Sequence, residues 1–187
     1  MSRVTILVGS MRKDGNTHML AHSFAEGARQ HNDVKVISVA DHKVNPCSGC
    51  NYCYTSEGHR CIQNDDMNEI YDALRETDVL AVASPVYFYG ISAELKAIID
   101  RLHTPMRDTF PIKKAALLLV GATRVPKLFD PIVMQYNLTL EFFQIEDLGS
   151  VLVSGVKNER DISGNDSLKT AYDLGSSISD PLATEKR

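Results

Sequence analysis

Two loops and one cysteine-dense segment hold the residues of this chain whose types and spacing could do chemistry. The first loop reads Gly9-Ser10-Met11-Arg12-Lys13-Asp14-Gly15-Asn16-Thr17 and leads from an apolar run into a helical pattern. Free amides and the dipole at a helix N-terminus suit an anion. Ser10, Asn16 and Thr17 offer side-chain hydrogen bonds, Arg12 offers charge, and Gly15 permits a close backbone approach. The loop lacks the Gly-Lys-Ser/Thr of a triphosphate loop and the Gly-x-Gly-x-x-Gly of dinucleotide folds, which favours a monophosphate. The plainer reading is that Asn16 or Thr17 only caps the helix.

The second loop, Ser84-Pro85-Val86-Tyr87-Phe88-Tyr89-Gly90-Ile91-Ser92, follows a buried strand pattern. Three aromatics at a strand end could be core. A proline opening the turn and a glycine closing it point instead to a shaped loop with backbone amides and flat side chains for a planar ring. The cysteines Cys47, Cys50, Cys53 and Cys61 fall within fifteen residues, a spacing that reads as metal or redox chemistry more readily than as a disulfide framework.

The elements that must position these loops follow from periodicity. Strand patterns cover Val4–Val8, Val34–Val39, Val79–Ala83, Ala115–Val120 and Ile145–Val153. Helical patterns cover Thr17–Gln30, Asp66–Glu76, Ile91–Leu102, Pro131–Phe142 and Asp166–Ile178, with Asp65-Asp66 expected to cap the second. Strands apolar throughout and alternating with helices predict a doubly wound α/β domain with a parallel sheet. Ligands of such sheets sit outside the carboxyl ends of the strands, so Ser10–Thr17, Pro85–Gly90 and Gly121–Arg124 should gather. One domain is expected over residues 1–178, with residues 179–187 as a flexible tail.

With these motifs the sequence resembles the NAD(P)H-dependent FMN reductase and flavodoxin-like quinone reductase superfamily, including the iron-sulfur flavoproteins. The likeness runs from about Arg3 to Val153 and is most specific at Ser84-Pro-Val-Tyr-Phe-Tyr-Gly-Ile-Ser-Ala-Glu-Leu-Lys-Ala-Ile-Ile-Asp-Arg101 and at Gly-Ser-x-Arg followed by Gly-Asn-Thr. It implies a flavodoxin-like three-layer sandwich with five parallel strands in the order 2-1-3-4-5. It implies that Ser10, Arg12, Asn16 and Thr17 hold the phosphate of FMN. Pro85, Val86, Tyr87, Phe88 and Gly90 would contact the ring, with Gly121 and Thr123 as weaker matches. NADH or NADPH would be co-substrate, a quinone, flavin or nitro compound the acceptor, and the assembly a homodimer or homotetramer. Catalytic side chains need not exist, because the flavin carries the chemistry. A flavodoxin-type electron carrier is the rival, although such carriers are usually strongly acidic.

The cysteine spacing is similar to the iron-sulfur flavoprotein motif, where four thiolates would hold a 4Fe-4S cluster. Zinc and free thiols are the alternatives, and a cluster-free FMN protein ranks ahead of both metal readings. A tyrosine-phosphatase reading fails: the first loop has no cysteine, and six residues, not five, separate Cys53 from Arg60. His18 and His22, four apart on one helix, read as a solvated face. A net charge of -4 from 20 basic and 24 acidic residues gives no surface for nucleic acid, and no apolar run suits a bilayer. The N-terminal residues do not read as a signal peptide, and a cytoplasmic protein is expected.

Overall fold

Residues 1–178 are described by the computed structural model; residues 179–187, expected as a tail, lie outside the described residues. Five strands form one sheet, β1 (Arg3–Val8), β2 (Asp33–Ser38), β3 (Val79–Pro85), β4 (Lys114–Gly121) and β5 (Glu146–Ser154); the inner strands are apolar almost throughout, while the edge strands β2 and β5 carry charged and exposed residues. All pair in parallel in the order β2-β1-β3-β4-β5, the order the resemblance implied. The helices are α1 (Asn16–Ala28), α2 (Tyr52–Thr55), α3 (Met67–Leu74), α4 (Ala93–Arg101), α5 (Asp130–Phe143) and α6 (Asp166–Ser176). Among the described residues, the short α2 and two brief 3-10 helices, Glu57–His59 and Pro105–Thr109, have no counterpart among the patterns read from the sequence.

Alternation along each strand splits the core in two. Val4, Ile6, Val8, Ala81, Ala83, Leu118 and Val120 face one side and meet Leu20 and Phe24 of α1 and Ala171 of α6. Leu7, Leu80, Val82, Leu117 and Leu119 face the other and meet Ile70 of α3, Leu95 and Ile98 of α4 and Ile132 of α5. Val8 pairs with Ala83, and Pro85 with Val120, so β1, β3 and β4 release their loops along one edge.

The backbones of α1 and α6 touch where they cross. A Cβ on Gly27 would lie 2.0 Å from the Tyr172 carbonyl oxygen, and one on Gly175 would lie 2.1 Å from the Phe24 carbonyl oxygen. In an exposed helix, alanine would be better than glycine by about 1 kcal/mol. Here the carbonyls cannot yield without parting the helices, so the clash decides the sign. Gly175→Ala should lower unfolding stability by about 1–3 kcal/mol, read by urea denaturation with the far-UV spectrum unchanged.

Candidate functional site

The first loop is tied down before it can turn. Gly9 N–H donates to the Ala83 carbonyl at 2.8 Å, and a Cβ on Gly9 would meet the Leu95 side chain at 2.8 Å and the Ser92 hydroxyl at 2.9 Å. Glycine is required by that approach to α4. Buried Ser10 then accepts from the Arg12 amide at 3.1 Å through its hydroxyl. α1 opens at Gly15 with no side-chain cap and no acid in its first turn, which leaves first-turn amides without side-chain acceptors. Thr17 is buried with no side-chain hydrogen bond among the described residues, and exposed Arg12 joins no ion pair among them. These features together suit a small anion.

Asn16 departs from the simple picture. Its Nδ2 donates to the Asn158 carbonyl at 2.8 Å, and its Oδ1 accepts from the Ile162 amide at 3.1 Å. The side chain therefore ties the segment after β5 to the start of α1, and it is the Asn16 backbone amide that remains for an anion. His18 also differs from a solvated face: its Nε2 lies 3.2 Å from the Ser10 carbonyl and 3.4 Å from the Ser38 hydroxyl. Lys13 pairs with Asp41, and that hydrogen bond is the main reason the exposed Asp41 carboxyl lies below its ordinary range.

The aromatic loop is a tight hairpin. Val86 N–H donates to the Val120 carbonyl, and Tyr87 and Gly90 exchange two backbone bonds of 2.9 and 3.0 Å. The tip residues Phe88 and Tyr89 have φ of 48° and 65°, a left-handed conformation that costs a non-glycine residue about 1 kcal/mol or more. Phe88 is 99% exposed, and Tyr87 and Tyr89 are also exposed. The hairpin base is fixed by buried Ser84, whose hydroxyl accepts from the Ser92 amide, while the Ser92 hydroxyl caps α4 at Leu95. Three flat, solvent-facing rings thus stand on a rigid base.

In the third loop Gly121 is buried beneath Leu128, whose Cδ2 would lie 2.4 Å from a Cβ there, while Thr123 is exposed. The segment 155–162 also joins the group, because the Val156 amide donates to the Gly121 carbonyl and Asn16 holds Asn158 and Ile162. Sequence reasoning missed this segment. Its signal was the turn at Asp161, whose carboxylate accepts from the amides of Lys157 and Asn158.

The cysteines lie in the connection between β2 and α3. Cys47 and Cys50 are exposed, Cys53 and Cys61 half-buried, and all four are free thiols. Among the described residues no three His, Cys, Asp or Glu side chains stand together as a metal-holding group, so the four thiols do not fit a cluster in this arrangement. The Tyr52 amide and then the Ser48 hydroxyl hold the Cys50 thiol below its ordinary pKa.

Asp65 and Arg101 form a buried pair beside this segment. Their side chains are 3% and 2% exposed, with Arg101 Nη1 donating to Asp65 Oδ2 at 2.6 Å. The same Nη1 donates to the Asn45 carbonyl at 3.2 Å. Asp65 does reach the Met67 amide as expected of a cap, at 3.3 Å, but its main partner is the arginine. Burial works against the Asp65 charge, yet the Arg101 and Asn45 hydrogen bonds outweigh it and hold the carboxyl below its ordinary value. Tyr71, whose hydroxyl donates to the Arg101 carbonyl at 2.8 Å, is pushed up to about 12, chiefly by burial. Arg101 Nε is buried with no acceptor among the described residues, an arrangement that costs about 1–3 kcal/mol.

The family model for NADPH-dependent FMN reductases matches residues 2–128. An iron-sulfur flavoprotein from Methanocaldococcus jannaschii is 38% identical over 125 residues, 65% of this chain and 63% of that protein, so the chain spans under two thirds of it. An iron-sulfur flavoprotein from Archaeoglobus fulgidus is 31% identical over 183 residues, 97% of this chain and 80% of that protein. Among solved structures, an NAD(P)H:quinone oxidoreductase from Methanothermobacter marburgensis shares the fold with a TM-score of 0.72, at 15% identity, covering 95% of this chain and 99% of that one.

The lowered Asp65 pKa has a pH consequence. A depressed carboxyl adds stability that is complete above the ordinary value of 3.8 and is lost as pH falls through the lower folded value. Below about pH 4, urea unfolding should therefore show a steeper loss of stability with falling pH for the wild type than for Asp65→Asn. At pH 7 that variant should be less stable by about 3–5 kcal/mol, because it leaves the arginine charge buried alone.

Proposed function

Since this chain belongs to the NADPH-dependent FMN reductase family, we propose that it is an FMN-dependent NAD(P)H oxidoreductase that reduces a quinone, flavin or similar small acceptor. The carrying observation is the uncapped start of α1, with Ser10 and Thr17 buried beside it, on the same sheet edge as the aromatic hairpin. The residues fit a ring that bears a monophosphate. First-turn amides of α1, the Thr17 hydroxyl and the Arg12 guanidinium would take the phosphate, with Ser10 shaping the turn. Pro85, Val86, Tyr87, Phe88 and Gly90 would take the ring, and Gly121 and Thr123 would flank it.

When bound, FMN supplies acceptance of a hydride from the nicotinamide and its return to the acceptor. The chain's part is to neutralise the phosphate, to hold the ring against a hairpin that cannot slide, and to present flat aromatic surface to incoming planar substrates. No side chain is needed to move a proton. Four free thiols support a reducing compartment such as the cytoplasm. Among the described residues no helix is long and apolar enough to cross a membrane.

A second reading, an iron-sulfur flavoprotein, is favoured by the names of the relatives and by the cysteine spacing, and it requires the segment around Cys47–Cys61 to close further. Protein purified without oxygen separates the two. Flavin bands with NADH or NADPH oxidation on adding a quinone, and without iron, support the leading reading. About four irons per chain support the second. Flavin without turnover on either nicotinamide sinks the reductase and leaves an electron carrier. Arg12→Ala should weaken FMN binding about tenfold in a fluorescence titration, with the fold intact.

Assembly as a homo-oligomer is supported by α5, which leaves Met134, Leu138 and Phe142 exposed at four-residue spacing along one face. Sedimentation should give at least a dimer, and Leu138→Glu should shift it toward monomer.

A further inference from the structure

We propose that Arg101 is a positioning residue that closes the neck of the four-cysteine segment and fastens that neck to the end of α4. Asn45 and Asp65 lie on either side of all four cysteines, and they meet: Asp65 Oδ2 accepts from the Asn45 amide at 2.9 Å and from Asn45 Nδ2 at 3.3 Å. One step further out, Lys43 and Asp66 exchange two bonds, the Lys43 amide to the Asp66 carboxylate at 2.6 Å and the Asp66 amide to the Lys43 carbonyl at 3.2 Å. Arg101 joins both strands of the neck from below, at the Asn45 carbonyl and the Asp65 carboxylate.

Neck and body differ in kind. The neck is a closed set of hydrogen bonds around a buried ion pair. In the body α2 and residues 57–59 bury no side chain, and the ties to the rest of the fold are the Thr104 hydroxyl at the His59 carbonyl, 3.4 Å, and Tyr54 with His103, 3.2 Å. A body of that sort can rearrange its thiols while the neck keeps its place. α4 begins at the hairpin through the Ser92 cap and ends at Arg101, so the neck stands one nine-residue helix, about 13 Å, from the aromatic loop. Arg101 Nε–H, without a hydrogen-bond partner among the described residues, leaves one buried donor of the neck unsatisfied. Arginine suits the post because Nη1, held in the plane of its guanidinium, reaches the carboxylate and the carbonyl from one rigid position, which a lysine ammonium does with less fixed geometry.

Because one buried charge left alone could unfold the protein, the test removes both in Arg101→Met/Asp65→Leu and uses Arg101→Lys as the conservative control. Iodoacetamide labelling, read by peptide mass, should be about tenfold faster at Cys53 and Cys61 in the double variant and about threefold faster in Arg101→Lys. Cys47 and Cys50, already exposed, should change by less than about twofold, and FMN affinity should stay within about threefold of wild type. Unchanged rates at Cys53 and Cys61 would overturn the proposal. So would faster labelling of all four thiols with loss of FMN, which would make Arg101 a general support of the fold. Should the variants not fold, hydrogen exchange on the wild type decides: the Asn45 and Asp66 amides should open together with the Leu102 amide at the end of α4, and independent opening refutes the clasp. If the wild type binds no FMN, the flavin reading fails while the labelling comparison stands.

Discussion

Parallel pairing of β1 with both β2 and β3 is the constraint from which the site follows. Parallel neighbours cannot be joined by a hairpin, so every connection must recross the sheet over one of its faces. The chain leaves β1 over the face that α1 shares with α6 and returns to β3 over the face of α3. Connections diverge at β1 and β3, and divergence leaves a crevice at the carboxyl ends. The first loop and the aromatic hairpin border it because there is nowhere else for them to go.

Within that crevice the most useful groups are those the fold cannot satisfy by itself. A helix always leaves N–H groups unpaired at its start, and most surface helices cover some of them with a serine, threonine or aspartate. α1 begins on glycine, and the nearby polar side chains are buried in other duties or left without a partner. Asn16 is the clearest case: a residue that could have capped the helix instead holds Asn158 and Ile162, which walls the crevice with the segment after β5. Backbone is freed for binding by spending a side chain on architecture.

The strands and main helices were legible because burial imposes its period on the amino acids directly. Each predicted element is present, with ends displaced by no more than two residues. The loops that gather at the sheet edge were legible for the same reason, since strand order fixes where they emerge. What the sequence hid were contacts between residues far apart along the chain. Nothing local marks Asp65 as the partner of Arg101, thirty-six positions away, rather than as a cap for the next helix. His18 looked like half of a solvated pair until β2 brought Ser38 beside it. The cysteine spacing was plain, yet spacing says which thiols are near in sequence and leaves their arrangement in space to the loop between them.

The hairpin tip carries a consequence for how this chain drifts. Glycine and asparagine adopt the conformation of Phe88 and Tyr89 at little cost, and most substitutions toward them would relieve backbone strain. Replacing the fully exposed Phe88 ring forfeits little packing within the chain beyond its edge contact with Tyr89, 6.2 Å between centroids. Folding therefore exerts little pull toward an aromatic residue at position 88 and some pull away from it, and at Tyr89 it sets backbone strain against a half-covered ring. A lineage that keeps both rings over many generations would be recording selection on something outside the folded monomer, and the identity of positions 88 and 89 across relatives becomes a readout of whether that outside task is shared.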